Sequence, residues 1–265
     1  MLIPARKFSG IAIGRVNSEL VAIITGGSRG IGAATAKLLA NKGYRICVNY
    51  RSDEVTADAV VNELASYGTT AIAVQADIGK EDDVVRLFEV VDQKLGPISA
   101  LVNNAGILLP QMRVEAMAAS RINQIFETNV TGAFLCCREA VKRMSTRHGG
   151  RGGSIVNVSS AASRLGAAGE YVDYAASKGA IDTLTRGLAL EVAAEDIRVN
   201  CVRPGFIHTG MHADGGEPDR IARVADSIPL KRGGTPDEIA NAIYWLLSDE
   251  ASYSAGSFID LAGGR

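Results

Sequence analysis

Leu20-Val-Ala-Ile-Ile-Thr25-Gly-Gly-Ser-Arg-Gly-Ile-Gly32 is the stretch that decides the fold of this 265-residue chain. Its first half is apolar and rich in β-branched residues, which predicts a buried strand that ends at a glycine cluster. A helical pattern follows from about Ile31 to Lys42 and stops at Gly43. Glycines at such a junction let the backbone turn tightly and approach a pyrophosphate, while the helix N-terminus supplies amide donors.

The spacing of Gly26, Gly30 and Gly32 matches neither common phosphate-binding pattern. It is not G-x-G-x-x-G, and the Lys-Ser or Lys-Thr pair of a P-loop does not follow. A purely structural turn between strand and helix is the alternative interpretation. The turn therefore needs support from the rest of the chain.

Strand and helix patterns alternate along the chain after residue 20. Further strands are expected at 45–50, 70–76, 98–103, 154–158, 198–202 and 257–261. Helices are expected between them at 52–68, 80–95, 117–147, 171–194, 217–226 and 236–247. Such alternation predicts an α/β fold, a single-domain Rossmann-type doubly wound parallel sheet of about seven strands with helices on both faces.

We expect one domain over residues 20–265, because no linker and no internal repeat interrupts it. Residues 1–19 carry three basic residues and a single acid but no apolar core of a signal peptide, so we interpret them as an N-terminal arm or extension outside the fold. The polar, Gly- and Pro-bearing stretch at 206–218 predicts a mobile lid, with the substrate lid region reaching to about residue 232.

Composition excludes several classes of function. Basic and acidic residues number 28 and 29, which gives no general attraction to nucleic acid or to an anionic membrane. No apolar run reaches the roughly 18 residues of a membrane span. The cysteines show no metal-ligand spacing and fit free thiols in a reducing cytoplasm; they are Cys47, Cys136, Cys137 and Cys201.

Tyr174-Ala-Ala-Ser-Lys178 places a tyrosine and a lysine four positions apart, on one face of a helix. A free tyrosine has a pKa of about 10, and a nearby ammonium lowers that pKa towards neutrality. Random placement of this chain's tyrosines and lysines produces ~0.2 such pairs. The pair is therefore a candidate acid/base whose support must come from other motifs.

The glycine turn and the Tyr174/Lys178 pair together make the chain resemble the short-chain dehydrogenase/reductase family in its single-domain form. Further family motifs stand in register along the sequence. They are Asp77, Asn103-Asn104-Ala105-Gly106, Asn129, Ser159-Ser160, Asn200, Pro204-Gly205 and Thr209. The resemblance spans Leu20 to Gly264 and implies an NAD(P)-dependent oxidoreductase that acts on CH–OH or C=O groups.

The resemblance also implies which positions contact the nucleotide. Asp77 and Ile78 match residues that contact the adenine, while Ile207 and Thr209 match residues that hold the nicotinamide carboxamide. Lys178 matches a residue that also binds the nicotinamide ribose. The full expected set is Gly26, Ser28, Arg29, Gly30, Ile31, Gly32, Tyr50, Arg51, Ser52, Asp77, Ile78, Asn104, Ala105, Gly106, Tyr174, Lys178, Pro204, Gly205, Ile207 and Thr209.

The end of the second strand predicts NADP(H) as the preferred cofactor, with NAD(H) as the alternative. An acid at that position binds the 2′-hydroxyl of NAD and repels a 2′-phosphate. The chain has Tyr50 and Arg51 there instead, and Arg29 lies in the glycine turn. Two guanidinium groups suit a phosphate, although both arginines also fit the description of solvated surface residues.

Four residues match the family's catalytic positions. By resemblance, Tyr174 donates a proton to a substrate carbonyl or accepts it in the reverse oxidation, and Lys178 lowers the pKa of Tyr174. Ser160 matches the hydroxyl that hydrogen-bonds the substrate oxygen. Asn129 matches the residue that holds a water between Lys178 and bulk solvent.

Ser159 competes with Ser160 for the role of carbonyl anchor. The segment Tyr171-Val172-Asp173 makes the loop before the catalytic tyrosine one residue longer than in many relatives. The second serine after the fifth strand still aligns best, so we assign Ser160. No metal is expected, because His208 and His212 lie four apart without a third ligand.

Other functions share parts of this pattern. Sugar-nucleotide epimerases and dehydratases have the Tyr/Lys pair in longer chains with a different glycine spacing, and enoyl reductases space the two residues further apart. A non-catalytic NAD(P)-binding sensor or scaffold is the alternative outside the enzymes. An enzyme is expected because Asn129, Ser160, Tyr174 and Lys178 are all present.

Substrate and assembly are defined only by class. A small-molecule carbonyl or alcohol is expected, and the chain resembles both glucose dehydrogenase-like members and 3-oxoacyl-acyl-carrier-protein reductases. The family implies a homo-oligomer, a tetramer or a dimer, in which the helices at 117–147 and 171–194 and the C-terminal strand pair with a second copy. The apolar runs at 133–137 and 187–190 fit such a helix pair, and core packing explains them equally well.

Overall fold

The chain forms a sheet of seven parallel strands in the computed structural model, which describes residues 20–265. The strand order is β3-β2-β1-β4-β5-β6-β7, so β1 and β4 are neighbours. The strands are β1 (Val21–Ile24), β2 (Arg45–Tyr50), β3 (Ala71–Gln75), β4 (Ala100–Asn103), β5 (Gly153–Val158), β6 (Ile197–Pro204) and β7 (Phe258–Leu261). The arm expected at residues 1–19 lies outside the described residues.

Helices cover both faces of the sheet. In the described residues they are α1 (Gly30–Asn41), α2 (Glu54–Ser66), α3 (Glu81–Lys94), α4 (Ala119–Phe126), α5 (Gly132–Met144), α6 (Ala162–Leu165), α7 (Val172–Val192), α8 (Met211–Asp214), α9 (Arg220–Val224) and α10 (Pro236–Leu247). One apolar core joins α3, α5 and α7 to one face, and a second joins α1, α2 and α10 to the other. Ile23 and Ile24 of β1 belong to different cores, as the two-residue period of a strand requires. The predicted doubly wound α/β fold is confirmed.

Local sequence explains the best-defined helix start, that of α10. The Thr235 hydroxyl accepts a hydrogen bond from the Glu238 backbone, and the Glu238 carboxylate accepts one from the Thr235 backbone. Pro236 occupies the first helical position, where its missing N–H costs nothing. Ile239 and Ile243 then bury one face of the helix in the second core.

The topology places a crevice at the carboxyl ends of β1 and β4. The chain continues from β1 to β2 on one side of the sheet and from β4 to β5 on the other. Connections that diverge in this way leave room between them, and ligands of open α/β sheets bind at such switch points. The loops that follow β1 and β4 therefore face one another across a site.

The long helix expected over 117–147 is interrupted in the structure. A π-helical turn at Glu127–Thr131 separates α4 from α5. Within it, Asn129 hydrogen-bonds both the N–H and the C=O of Ile107, at 2.8 and 3.1 Å. These bonds fix the irregular turn against the loop after β4, an arrangement that helix periodicity cannot indicate. No sequence pattern indicated α6, nor α8 within the expected lid.

Candidate active site

A cavity of about 350 Å³ lies at the carboxyl ends of β1 and β4. The loops that follow β1, β2, β3 and β4 line it together with the beginning of the lid. Of the positions expected to contact a nucleotide, it brings together Gly26, Ser28, Arg29, Gly30, Ile31, Tyr50, Arg51, Ser52, Asp77, Ile78, Asn104, Ala105, Gly106 and Thr209.

The glycine turn and the N-terminus of α1 suit a phosphate. Gly26 and Gly30 have φ values of +59° and +53°, which favour glycine over any other residue. A Cβ on Gly26 would lie 2.9 Å from the Ala105 Cα, so the turn also needs its glycine for packing. No side chain caps α1 and no acid stands in its first turn, which leaves amide donors and the positive dipole end for an anion. These residues fit the pyrophosphate of a dinucleotide.

The other expected contacts lie outside the lining of this cavity; they are Gly32, Pro204, Gly205, Ile207, Tyr174 and Lys178. Gly32 and Gly205 are packing positions, because a Cβ would lie 2.3 Å from the Gly26 carbonyl oxygen and 2.8 Å from the Ala262 Cα, respectively. Pro204 pairs with Leu261 in the sheet, and Ile207 is buried in the second core. Lys178 borders the cavity wall, since its Nζ would lie 3.4 Å from a Cβ on Gly106.

Asn49 is a site residue that the sequence reasoning missed. It lines the cavity from the end of β2 and is buried. Its Oδ1 accepts the Gly26 N–H at 3.3 Å, and its Nδ2 donates to the Ala76 carbonyl at 3.0 Å, so it ties three loops together. A polar amide inside an otherwise apolar strand was the available signal. The cavity lining also includes Asp53, Ala76, Ile107, Thr128, Gly210 and Met211.

The two arginines expected at a 2′-phosphate have different surroundings. Arg51 is exposed and has no ion-pair partner among the described residues. The Arg29 Nη2 instead donates to Oδ2 of Asp214 in α8, at 2.5 Å. Asp53 also lines the cavity, but its oxygens accept the Thr56 N–H at 3.0 Å and the Thr56 hydroxyl at 2.6 Å. Asp53 therefore serves as the N-cap of α2.

Tyr174 in the first turn of α7 lies beside Ser160, which belongs to the loop between β5 and α6. Burial raises the pKa of Tyr174 to about 12, and a hydrogen bond from the Ser160 hydroxyl opposes this rise. The competing serine is occupied elsewhere, because the Ser159 hydroxyl donates to the Lys178 carbonyl at 3.0 Å and is buried. Ser160 is thus the serine that the structure places beside Tyr174.

Lys178 lies one turn after Tyr174 on α7, with its Nζ 5.6 Å from the centre of the tyrosine ring. The ammonium donates to the Val158 carbonyl at 2.8 Å. Burial lowers the pKa of Lys178 to about 8, against the opposing effect of Cys201 and Asp182. Burial is thus the largest influence on the pKa of both side chains, and the lowering of the Tyr174 pKa by Lys178 stays a prediction.

Asn129 approaches Lys178 from the π turn. Its Nδ2 donates to the Ser177 hydroxyl at 3.1 Å, and Ser177 in turn donates to the Tyr174 carbonyl at 2.7 Å. A Cβ on Gly106 would lie 3.4 Å from both Asn129 Oδ1 and Lys178 Nζ. The missing side chain of Gly106 therefore leaves space between these two polar groups.

Asp173 anchors the beginning of the catalytic helix. Its Oδ1 accepts the Tyr174 N–H at 2.9 Å, and its Oδ2 accepts the Nε of Arg121 in α4 at 2.7 Å. Both side chains are almost fully buried, and Arg121 Nη1 also donates to the Pro110 carbonyl at 2.8 Å. The inserted segment noted in the sequence thus fixes Tyr174 to α4 and to the loop after β4.

Charged side chains attach the lid to the loop that precedes α7. Arg220 of α9 is buried, pairs with Glu170 and Glu217, and stacks over the Tyr171 ring at 4.8 Å. Arg223 pairs with the same two carboxylates, and it holds the pKa of Glu217 down at about 2. We call Glu170, Glu217, Arg220 and Arg223 the lid cluster.

Among the described residues, no group of three or more His, Cys, Asp or Glu side chains is arranged to hold a metal ion. The Nε2 of His212 lies 3.0 Å from the Ile207 carbonyl oxygen, and burial lowers the pKa of His212. Within residues 20–265, no helix combines the length and the apolar character that crossing a membrane requires.

Known proteins resemble this chain over most of its length. The family model described as enoyl-(acyl carrier protein) reductase matches residues 26–265. The uncharacterized oxidoreductase YgfF of Escherichia coli (strain K12) is 63% identical over 92% of this chain and 99% of its own length. A 3-oxoacyl-[acyl-carrier-protein] reductase of Synechocystis is 39% identical over 92% of this chain and 96% of its own length.

A solved structure agrees with these sequence relatives. A short-chain type dehydrogenase/reductase from Mycobacterium marinum superposes with a TM-score of 0.87 at 33% identity, over 92% of this chain and 94% of that one. Sequence, fold and the glycine-lined cavity bordered by Lys178 all point to one family. The chain therefore belongs to the short-chain dehydrogenase/reductase family and is an NAD(P)-dependent oxidoreductase related to 3-oxoacyl-acyl-carrier-protein reductases.

Proposed function

We propose that this protein is an NADP-preferring carbonyl reductase or alcohol dehydrogenase in which Tyr174 is the general acid/base. The observation that carries the proposal is the contact of Tyr174 with Ser160 beside Lys178, at the wall of a nucleotide-sized cavity. The nicotinamide, when bound, supplies or accepts the hydride. Pro204, Gly205 and Ile207 flank it on the side of the lid.

Each catalytic side chain has a task that its surroundings support. With a pKa raised to about 12, Tyr174 keeps its proton near neutrality, and the protonated phenol is the form that donates to a carbonyl oxygen. The Ser160 hydroxyl hydrogen-bonds the same oxygen and orients it. Lys178 and Asn129 face the space beside Gly106, which suits a proton path from solvent.

The NADP preference is supported by charge at the cavity. Arg51 is unpaired among the described residues and Arg29 lies nearby on the same wall. Asp53, the acid that follows β2 in the cavity lining, is occupied with capping α2, so it does not offer a free carboxylate to a ribose 2′-hydroxyl. A 2′-phosphate therefore meets guanidinium groups and no uncommitted acid from β2.

For the substrate, we propose a 3-oxoacyl thioester ahead of a sugar. Relatives described as 3-oxoacyl-[acyl-carrier-protein] reductases are 36–39% identical over 92% of the chain, which supports this order. Enoyl reduction, which the description of the family model suggests, is the second candidate. The spacing of four residues between Tyr174 and Lys178 favours carbonyl chemistry, since enoyl reductases space the pair further apart.

The test is the change in NADPH absorbance with a panel of substrates. Acetoacetyl and crotonyl thioesters are supplied with NADPH, and activity lowers the absorbance. A sugar and a secondary alcohol are supplied with NADP⁺, and activity raises it, so the panel distinguishes the candidate reactions. Tyr174→Phe is expected to lower the turnover rate by about 10³-fold or more. Its affinity for NADPH, measured by fluorescence, is expected to equal that of the wild type. An active Tyr174→Phe enzyme would exclude the assigned role. A protein that binds NADPH but turns over none of the panel supports the sensor or scaffold instead.

We also propose the context in which the protein works. Residues 20–265 form one catalytic domain with a substrate lid at 206–232. The four cysteines are reduced and buried, which supports a reducing compartment such as the cytoplasm. Phe134 of α5 and Leu190 of α7 are exposed, which supports a homo-oligomer that covers them.

A further inference from the structure

Arg29 connects the glycine turn to the lid across the mouth of the nucleotide cavity. Its guanidinium donates to Asp214 in α8 at 2.5 Å, and Thr209, Gly210 and Met211 from the same part of the lid line the cavity. The guanidinium also lies close to Gly210 of the lid, because a Cβ on Gly210 would lie 3.6 Å from Arg29 Nη1. The lid therefore holds one of the two arginines that the proposed function assigns to the 2′-phosphate.

A 2′-phosphate and the Asp214 carboxylate present the same chemistry to Arg29. Both are anions whose paired oxygens accept hydrogen bonds from a guanidinium fork. Arg51, which lines the same cavity, has no such competitor among the described residues. The phosphate also carries more charge than a carboxylate, so the two anions repel one another when they approach a single guanidinium.

We propose that Asp214 is a cofactor-specificity residue that competes with the 2′-phosphate of NADP(H) for Arg29. The proposal rests on the NADP preference argued above. Binding of NADP(H) requires Arg29 to exchange Asp214 for the phosphate, whereas NAD(H) leaves the ion pair intact. Asp214 thus lowers the affinity for NADP(H) selectively. The difference between the affinities for NADP(H) and NAD(H) is smaller as a result.

The size of the effect follows from the exposure of the pair. The side chains of Arg29 and Asp214 are 64% and 43% exposed, so solvent screens their attraction and the pair is weak. Replacing Asp214 with Asn removes this pair and also the repulsion between the carboxylate and the 2′-phosphate. The two effects together are expected to tighten NADPH binding about three- to tenfold. Because the effect is electrostatic, it should fade at 1 M salt, where the Debye length is about 3 Å.

The experiment measures NADPH and NADH dissociation constants by fluorescence for the wild type, Asp214→Asn, Arg29→Ala and the double variant. Adenosine 2′,5′-bisphosphate is titrated as a fragment that carries the phosphate without the nicotinamide. Asp214→Asn is expected to tighten NADPH and the fragment but to leave NADH within twofold. In the Arg29→Ala background, Asp214→Asn should have no effect, because the competition needs the guanidinium.

Asp219→Asn is the matched control. Asp219 is an exposed lid acid with no side-chain cap bond and lies outside the cavity lining, so its change removes the same charge from the lid without touching Arg29. It is expected to leave all three affinities unchanged. An equal gain from Asp219→Asn would assign the effect to net charge and overturn the proposal.

Two further results decide between this proposal and the one beneath it. If Arg29→Ala and Arg51→Ala weaken NADPH and NADH equally, the NADP preference itself fails. If Arg29→Ala is selective for NADPH but Asp214→Asn leaves NADPH unchanged or weakens it, the competition alone is wrong. In that case Asp214 helps to close the lid on the bound nucleotide rather than competing with it.

Discussion

Burial shifts the pKa values of Tyr174 and Lys178 in opposite directions, and both shifts favour the neutral form. Desolvation disfavours a charge on either group, and it does so whether that charge is negative or positive. The lysine therefore has a pKa of about 8 where a free side chain has one near 10.5. Near neutrality the folded protein contains a buried cation, and this has a consequence for stability.

The first prediction concerns how the destabilisation caused by this buried cation depends on pH. The folded pKa of Lys178 lies below its unfolded value, so the unfolded state binds more protons between about pH 8 and 10.5, and stability rises with pH in this window. Relative to Lys178→Met, the wild type is expected to gain about 2 kcal/mol between pH 7 and 9.5. Urea unfolding of both proteins at the two pH values measures this difference.

Comparison of the two proteins removes the other contributions. Burial raises the pKa of all four thiols well above 9.5 in the folded wild type, and loss of the Lys178 cation can only raise the pKa of Cys201 further, so the folded thiols stay protonated in both proteins. In the unfolded state the thiols titrate equally in both, and the hydrogen bond lost to the Val158 carbonyl is absent from the variant at every pH. The difference therefore reports Lys178 alone. If the difference in the free energy of unfolding between the two proteins stays constant from pH 7 to 9.5, folding does not lower the pKa of Lys178.

Single residues divide into those the sequence could assign and those it could not. The choice of Ser160 over Ser159 rested on the count from a strand end, and the structure places Ser160 beside Tyr174. Asn49 is absent from the expected nucleotide contacts, although an amide within an otherwise apolar strand indicates a buried hydrogen-bonding role. The partnership of Arg29 with Asp214 spans 185 positions and depends on how the lid folds back, so no local pattern indicates it.

At the scale of elements, the lid is held by the lid cluster to a segment that leads directly into α7. Glu170 receives hydrogen bonds from both Arg220 and Arg223, and its carbonyl accepts the Met112 N–H at 2.9 Å. The Tyr171 hydroxyl next to it donates to the Gly215 carbonyl in the lid at 3.0 Å. The lid position is thus coupled to the segment that places Tyr174.

The second prediction is that Glu170→Gln loosens the lid. The change removes the only carboxylate of the lid cluster that lies outside the lid region, and charge-assisted hydrogen bonds of this kind contribute about 1.5–3 kcal/mol. Amide hydrogen exchange in residues 211–224 is expected to accelerate tenfold or more. Exchange in α10 should stay unchanged, because that helix does not contact Glu170.

Glu115→Gln provides the matched control. Glu115 forms an equally direct pair with Arg113, but both side chains are exposed and belong to one short turn, so the pair connects no separate segments. It is expected to leave exchange in the lid unchanged. Equal acceleration by both variants, or none by Glu170→Gln, would show that the lid cluster does not hold the lid.

Element bounds were predictable where local sequence decides them. The bounds of β2 and α10 match the expected 45–50 and 236–247, because β-branched runs and a capping box act within a few residues. The π turn between α4 and α5 was not predictable, since side-chain bonds from Asn129 to a distant loop stabilise it. The lid helix α8 is too short for its periodicity to be recognised, whereas α9 lies within the helix expected at 217–226.

At the scale of the whole molecule, α5 and α7 bury only part of the apolar runs that the sequence presents. Cys136 and Cys137 enter the first core, while Phe134 on the same helix stays half exposed. On α7, Gly187 has open space where a side chain would stand, and Leu190 is 81% exposed. Exposed apolar side chains on these two helices suit burial against the same helices of a second copy.

The last prediction is that Leu190→Arg reduces the mass of the protein in solution. Under twofold symmetry the leucine contributes twice, and burial of each side chain is worth about 1.5–3 kcal/mol, so dissociation should become at least 100-fold more favourable. Light scattering after size exclusion measures the mass. Val55→Arg is the control, because Val55 is 82% exposed but lies on α2, away from this surface. An unchanged mass for Leu190→Arg, or an equal loss for Val55→Arg, would place the interface elsewhere.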